Sequence, residues 1–316
     1  MKILYLYNDY FGRRKKYGKI MSELGHQVIF HEIRDKSKSG SVSVKLIKKY
    51  NPDILWMYSP FYASSNKKAM TYCKEKGIKK VLFSTINVNI PYEQWLWVWK
   101  RIDFLFMHHK PCIEYLRSQG LNAFYMPLGF HPSMYSKLSM KKTIDVSFCG
   151  RPQNAVRRAK DKRSSYLQSL KNKKIVVYGK EFKHRLSGIP VRGYRGNVIE
   201  RKVFAKTKVN LDLPFINSSS PFYKHMYHFK NRFFEIPATG NFMLTCRHND
   251  FLEIFGEDAV GYYDDNIESL KENVSRYIKD KKIREKMAKK AYQKVHEKHT
   301  FRHRFKEMFK ILKEHL

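Results

Sequence analysis

The sequence predicts an α/β protein of two Rossmann-like domains facing each other across a cleft. Three observations predict it. Short apolar runs alternate with helical segments at βαβ spacing, the same pattern restarts after a polar link at 136–143, and 316 residues suffice for two separate cores. The expected division is residues 1–140, 141–300 and a terminal helix at 301–316.

KILYLY (2–7) is an apolar run closed by Asn8 and Asp9, as expected of a buried parallel strand. A basic helix through 19–24 ends at Gly25, which can take the left-handed conformation of a C-terminal cap. QVIFHEI (27–33), a helix near 42–49, DILWMYS (53–59), a helix at 65–76 capped by Gly77, and VLFST (81–85) continue the alternation. DFLFMHH (103–109) and NAFYMPL (122–128) complete the first sheet, with a helix at 112–119 between them. The second half begins with DVSFCG (145–150), a very basic helix near 157–170 and KIVVYG (174–179). KVNLDLP (208–214), the stretch FKNRFFEIPATGNFMLT (229–245), AVGYYD (259–264) and further helices follow.

Lys and Arg total 63 against 28 Asp and Glu, a formal net charge of +35. Between residues 151 and 208 stand eighteen Lys or Arg and three acids, Asp161, Glu181 and Glu200. That density calls for a polyanionic partner: nucleic acid, an anionic membrane surface or a charged polymer. A 42% hydrophobic and 15% aromatic content excludes a disordered chain, and no apolar run reaches eighteen residues. Cys73, Cys112, Cys149 and Cys246 are scattered, without zinc spacing, as expected of a reducing, cytoplasmic setting.

Open parallel sheets bind ligands at the carboxyl ends of their strands. That rule selects Asp9, the segment after VLFST, and the pair His108 and His109 in the first half. In the second it selects Gly150 and Arg151, Tyr178 and Gly179, and Asp212. In 229–245, Phe229, Phe233 and Ile236 follow helical spacing toward a core, while Lys230 and Arg232 lie where the helix dipole disfavours cations unless an anion is present. A diphosphate there would be held by both cations. Glu235 could accept ribose hydroxyls, and Thr239 and Gly240 allow a tight turn into the next strand; an ordinary Arg–Glu pair on a surface helix is the other reading.

The arrangement R-x-F-E-I-P-A-x-G-x-F-x-L-T (232–245), followed by Asp250, Phe255 and Gly256, resembles the donor-site signature of group 1 glycosyltransferases. It is most similar to the branch typified by the spore-maturation protein CgeB. Tyr194, Arg195 and Gly196, Val209 to Leu211, and His299 to Arg304 extend the resemblance, and YMPLGFHP (125–132) fits the approach to the interdomain link. The resemblance implies the GT-B fold and a metal-independent enzyme without a cofactor, whose donor is a UDP-linked sugar. It puts Glu235 on the ribose, Lys230 and Arg232 near the diphosphate, and Gly150 and Arg151 at the border; Tyr178 and Gly179, from the strand-end rule, and Thr239 and Gly240, from the turn, complete the expected donor set. Two positions depart from the pattern. Tyr227 stands where many relatives carry a second Glu, with His225 or His228 as replacements, and Asn87 stands where relatives place an Asp.

An inverting enzyme needs a base for the acceptor hydroxyl, and Asp9 is placed for it; capping its own loop is the equal alternative. A retaining enzyme needs none, with His108 or His109 as helpers. On the acceptor side, Arg13, Arg14 and Lys15, the aromatics Trp95 and Trp97, and Arg157, Arg158, Lys162 and Arg163 supply cations and stacking faces. Trp95, Trp97 and Trp99 alternate, so one helical face cannot bury all three. Three functions compete: sugar transfer to hydroxylated DNA bases, transfer to a membrane or cell-surface glycan, and nucleic-acid binding on a GT-B scaffold without catalysis. The charge along the chain favours DNA.

Overall fold

The run KILYLY forms β1 (Lys2–Tyr7), buried over its last five residues. The computed structural model describes residues 1–7, 13–33, 44–84, 92–152, 161–193, 196–215 and 230–316. Asp9, Asn87, Arg157, Arg158, Tyr194, Arg195, His225, Tyr227, His228 and Phe229 lie outside these residues, as does the side chain of Arg13.

The chain divides into two units, Met1–Leu128 with Phe301–Leu316, and Gly129–Thr300. In the first, β1 is followed by α1 (Arg13–Glu23), β2 (Gln27–Glu32), α2 (Val44–Tyr50), β3 (Ile54–Met57), α3 (Pro60–Ser65), α4 (Lys67–Glu75) and β4 (Lys79–Ser84). Then come α5 (Tyr92–Trp99), β5 (Phe104–Met107), α6 (Lys110–Ser118) and β6 (Ala123–Tyr125). The six strands are parallel in the order β2-β1-β3-β4-β5-β6. The inner strands β3 and β5 are wholly buried and read as unbroken apolar runs, whereas the edge strand β2 has no fully buried residue. Gly25 and Gly77 end α1 and α4 at φ +89° and +69°, the left-handed conformation their positions predict.

The second unit runs β7 (Ile144–Cys149), α7 (Lys162–Gln168), β8 (Ile175–Tyr178), a 3₁₀ turn (Lys180–Phe182), β9 (Val191–Arg192), α8 (Gly196–Lys206) and β10 (Thr207–Asp212). It continues with α9 (Arg232–Ala238), β11 (Met243–Cys246), α10 (Asn249–Phe255), β12 (Gly261–Tyr263), α11 (Ile267–Lys279) and α12 (Lys281–Lys298). Its parallel sheet has the order β12-β11-β10-β7-β8-β9. The chain winds outward from β7 through β8 to β9, then returns to the other side of β7 with β10. The crevice between the ends of β7 and β10 is therefore a topological switch point, where α/β sheets hold ligands.

The last helix, α13 (Phe301–His315), belongs to the first unit and is not a separate appendage, and the units divide at Leu128 and Gly129 and not at residue 140. Its buried residues Phe301, Arg304, Phe305, Met308, Phe309 and Leu312 recur every three or four positions, which gives one apolar stripe. Phe305 and Phe309 pack on Trp56 at ring-centroid distances of 5.8 and 5.5 Å, and Phe301 on Tyr17 at 4.5 Å. Each fully buried Phe contributes about 2 kcal/mol by area, so this stripe fastens the chain's end to the sheet of its first residues.

Candidate functional site

At the switch point, Gly150 follows β7 and Asp212 ends β10. Gly179 follows the adjoining strand β8. Gly150 N–H donates to Tyr178 O at 2.9 Å, and a Cβ on Gly179 would stand 2.0 Å from Gly150 O. The two strand ends therefore cross backbone to backbone, which only glycine allows at this separation. A Cβ on Gly150 would meet Arg232 Nη1 at 2.7 Å and the Phe148 ring at 2.9 Å. Gly150 is thus the gap into which the Arg232 guanidinium fits.

Arg232 opens α9, a helix buried at every position, as its apolar sequence dictates. Its guanidinium lies 4.8 Å over the Phe148 ring, with Nε 3.4 Å from Asp212 Oδ1. Thr245 Oγ1 donates to the other Asp212 oxygen at 3.4 Å. Lys230 precedes the helix and does not lie in it. Burial, with the nearby charges of Arg163 and Arg232, holds its amine well below the usual lysine range despite the opposing pull of Asp212. Glu235, one turn into α9, is 3% exposed. Glu235 and Glu200 both stand near enough to Cys149, the last residue of β7, to help burial push its thiol up.

Arg163 corrects its expected place on an acceptor surface. It is 2% exposed, and its guanidinium donates to three carbonyls: Leu213 O at 2.8 Å, Phe215 O at 2.7 Å and Arg151 O at 3.0 Å. It ties the loop after β7 to the chain after β10, and burial brings its pKa down to about 10. Helix α7, which carries Arg163, starts at Asp161, whose carboxylate accepts from Ser164 N at 3.1 Å and from Arg185 Nη1 at 2.8 Å. Neither role was read from the sequence, although Asp161 and Ser164 have N-cap spacing. Lys162, at the surface, pairs with Asp265. Arg151 keeps its side chain 74% exposed beside Glu181, at 3.4 Å.

The expected donor set is therefore brought together in part. Gly150, Arg151, Tyr178, Gly179, Lys230 and Arg232 surround one strand-end crevice, with Glu235 behind it. Thr239 and Gly240 do not join them. Gly240, at φ +72°, makes the predicted turn, but both residues lie ahead of β11 at the amino edge of the sheet, because α9 has run its full length away from Asp212. Another residue of this crevice escaped the sequence reading: the Tyr263 hydroxyl at the end of β12 is buried without a hydrogen-bond partner among the described residues.

In the first unit, His108 and His109 do follow β5 at the carboxyl edge of their sheet. They are 1% and 3% exposed, however, with ring centroids 4.0 Å apart and the rings tilted by 43°. His108 Nδ1 donates to Ser84 O at 3.3 Å, and burial lowers its pKa to about 4; burial and His108 lower that of His109 too. Such neutral, desolvated rings are poor proton carriers at pH 7, so as placed they hold the turn from β5 into α6. On α5, Trp99 is 2% and Trp97 47% exposed, as the alternation requires. Trp97 has Arg101 at 4.8 Å and Lys67 at 5.9 Å over its ring, and Trp95 packs on Trp99 at 6.2 Å. Arg14 lies 3.9 Å over Tyr58, and Lys15 is exposed.

Residues 157–310 match the glycosyl transferase-like family. No curated protein sequence matches the chain at a significant level. Solved structures resemble it over their whole length. Sucrose-phosphate synthase from Thermosynechococcus elongatus is 10% identical, with a TM-score of 0.71 over 99% of this chain and 98% of its own. An alpha-glucosyltransferase in complex with UDP and a 13-mer DNA containing an HMU base is 14% identical, with a TM-score of 0.65 over 99% of both chains. A trehalose-6-phosphate protein from E. coli bound with UDP-2-fluoro glucose is 9% identical, with a TM-score of 0.70 over 99% of both chains. The fold is GT-B. With the matched domain, it defines the protein as a glycosyltransferase.

Proposed function

We propose that this enzyme transfers a sugar from a UDP-linked donor to a hydroxylated base in DNA. The observation that carries the donor half is the charge imbalance at the switch point. Lys230, Arg232 and Arg163 are crowded together around Asp212, and burial first, then the charges of Arg163 and Arg232, lower the Lys230 pKa. A diphosphate relieves it, and Lys230 and Arg232 are the cations placed to bind one. Glu235 then takes the ribose hydroxyls. The solved structures bound to UDP or a UDP-sugar, though similar only in fold, support uridine as the nucleoside. Within glycosyltransferases we place the chain in the CgeB-like branch, on the residues at 232–245.

In the reaction, the bond from the sugar's anomeric carbon to the diphosphate oxygen breaks and a bond to the acceptor oxygen forms. The acceptor's proton leaves with the diphosphate. Lys230 and Arg232 lower the barrier by stabilising the charge that builds on the departing phosphate. We favour retention of configuration: burial leaves His108 and His109 too weakly basic to take the proton, whereas the leaving phosphate can accept it on the face it vacates.

The acceptor half rests on charge. A net +35 makes contact with a phosphate backbone favourable wherever exposed cations face it, and Trp97 between Arg101 and Lys67 offers a face for a displaced base. The likeness to a DNA-bound alpha-glucosyltransferase supports the same acceptor. Nucleotide sugars and DNA coexist in the cytoplasm, where we place the reaction. The test incubates the protein with UDP-sugars and duplexes bearing normal or hydroxymethylated pyrimidines, then weighs the digested nucleosides. A nucleoside heavier by one sugar residue is expected. Release of UDP with every nucleoside unchanged would move the acceptor to a glycan or another class.

A further inference from the structure

A second cavity of about 840 Å³ lies within the Gly129–Thr300 unit at the amino edge of its sheet, opposite the carboxyl edge that holds Arg232. Phe242, just ahead of β11, and Ala205, near the end of α8, line its floor, and Tyr292 of α12 lines its side. Thr239 and Gly240 line it as well, which accounts for the two residues that do not reach the donor crevice. Much of the remaining wall is basic: Lys137, Lys141 and Lys142 come from the segment before β7, and Lys281, Arg284 and Lys289 from α12.

Few anions answer these cations. Glu285 pairs with Lys281 at 3.7 Å, and Asp145 is taken by Lys208 at 2.7 Å. Arg284 Nη1 donates to the carbonyls of Tyr277 and, at 2.9 Å, Ile278, so that nitrogen is used while the guanidinium keeps its charge. Lys142 Nζ meets a neutral carboxamide, Asn241 Oδ1, at 2.7 Å. Burial and the Arg284 charge bring its pKa down to about 8. Lys137 Nζ stands 6.0 Å from the Tyr292 ring. The cavity thus combines an apolar, partly aromatic floor with a cationic rim, at a volume typical of small-molecule sites.

We propose that this cavity binds a phosphate ester with a flat apolar body, of nucleotide size, separately from the donor crevice. Phe242 and Tyr292 receive the body, and Lys137, Lys141, Lys142 and Lys289 receive the phosphate. The site lies on the far edge of the sheet from the reacting groups, so its occupant acts as an effector and not as a substrate. The inference does not depend on the identity of the donor or the acceptor.

The probe is pyridoxal 5′-phosphate, a flat phosphate ester whose aldehyde condenses with a nearby amine, losing water; borohydride then fixes the imine. The full-length protein is labelled at pH 8 with limiting reagent and mapped by peptide mass spectrometry, with and without pyrophosphate, AMP, UDP or duplex DNA. Expected is early, saturable labelling at Lys142 or Lys141 that AMP suppresses. A K137Q/K289Q variant with an unchanged circular-dichroism spectrum should need at least about tenfold more AMP for the same protection. Even labelling across surface lysines, or protection that the variant leaves unchanged, would overturn the proposal. So would protection by duplex DNA without protection by AMP, which would make the groove part of a nucleic-acid surface. Labelling at Lys230 and its suppression by UDP are read separately, so failure of the donor assignment leaves this result interpretable.

Discussion

The Arg232 side chain stands with Nε 3.4 Å from Asp212 Oδ1, and this pair bridges α9 and the end of β10 at the switch point of the second sheet. Both side chains are almost fully buried, at 7% and 1% exposed. A buried pair of this kind is weak evidence of stabilisation, since desolvation offsets attraction. Its consequence is positional: Asp212 and Phe148 fix the guanidinium against Gly150, with Lys230 alongside.

Gly150→Ala tests that placement. The added Cβ would stand 2.7 Å from Arg232 Nη1 and 2.9 Å from the Phe148 ring, so the guanidinium must move. Donor affinity is expected to fall about tenfold, or about 1.4 kcal/mol, with a smaller loss of melting temperature than at Gly179, because the obstacles are side chains and not backbone. Gly179→Ala should behave differently. There the obstacle is backbone, Gly150 O at 2.0 Å, and the expected result is a marked loss of thermal stability.

Arg163→Ala should destabilise the protein by about 3 kcal/mol, because two buried carbonyls and a partly buried one lose a charged donor at once. Chemical denaturation measures this. Arg163→Lys should recover little, since an ammonium cannot span three carbonyls as a planar guanidinium does. Lys162→Gln, by contrast, should leave stability within about 0.5 kcal/mol, as expected of a surface ion pair.

Stability should also fall in mild acid. The His108 pKa is about 4 in the folded protein and 6.5 when exposed, so the unfolded chain binds the proton first. The neutral ring's contribution is complete above about pH 6.5 and is lost as pH falls toward 4. The full difference is about 3 kcal/mol. Urea midpoints measured between pH 4.5 and 7.5 should show this slope, and His108→Gln should flatten it.

The alternation of apolar runs and helices was legible because parallel strands covered on both faces must be continuously apolar. The eleven strands expected from it all appear, and β9 (Val191–Arg192), two residues long, carried too little pattern to be seen. Segments such as DFLFMHH extend past the observed strand because burial continues after the ladder stops: His108 and His109 are as buried as Phe106. The placement of Gly150, Gly179 and Asp212 at strand ends was legible. Two kinds of information were not. Sequence reads a cation as a surface group, so Arg163 was expected on an acceptor face when it is the clasp of two loops. A short motif also gives no length in space. The seven residues of α9 carry Thr239 and Gly240 from one edge of the sheet to the other, into a different cavity.

The central claim is that Lys230 and Arg232 hold the diphosphate of a uridine nucleotide. Calorimetric titration of UDP into the wild-type protein and a Lys230→Gln variant of equal melting temperature tests it most directly. The account predicts saturable UDP binding in the wild type, with proton uptake as the bound anion raises the depressed Lys230 pKa. It predicts affinity at least about tenfold weaker and the uptake gone in Lys230→Gln. Equal affinity and equal proton uptake in both proteins would contradict it.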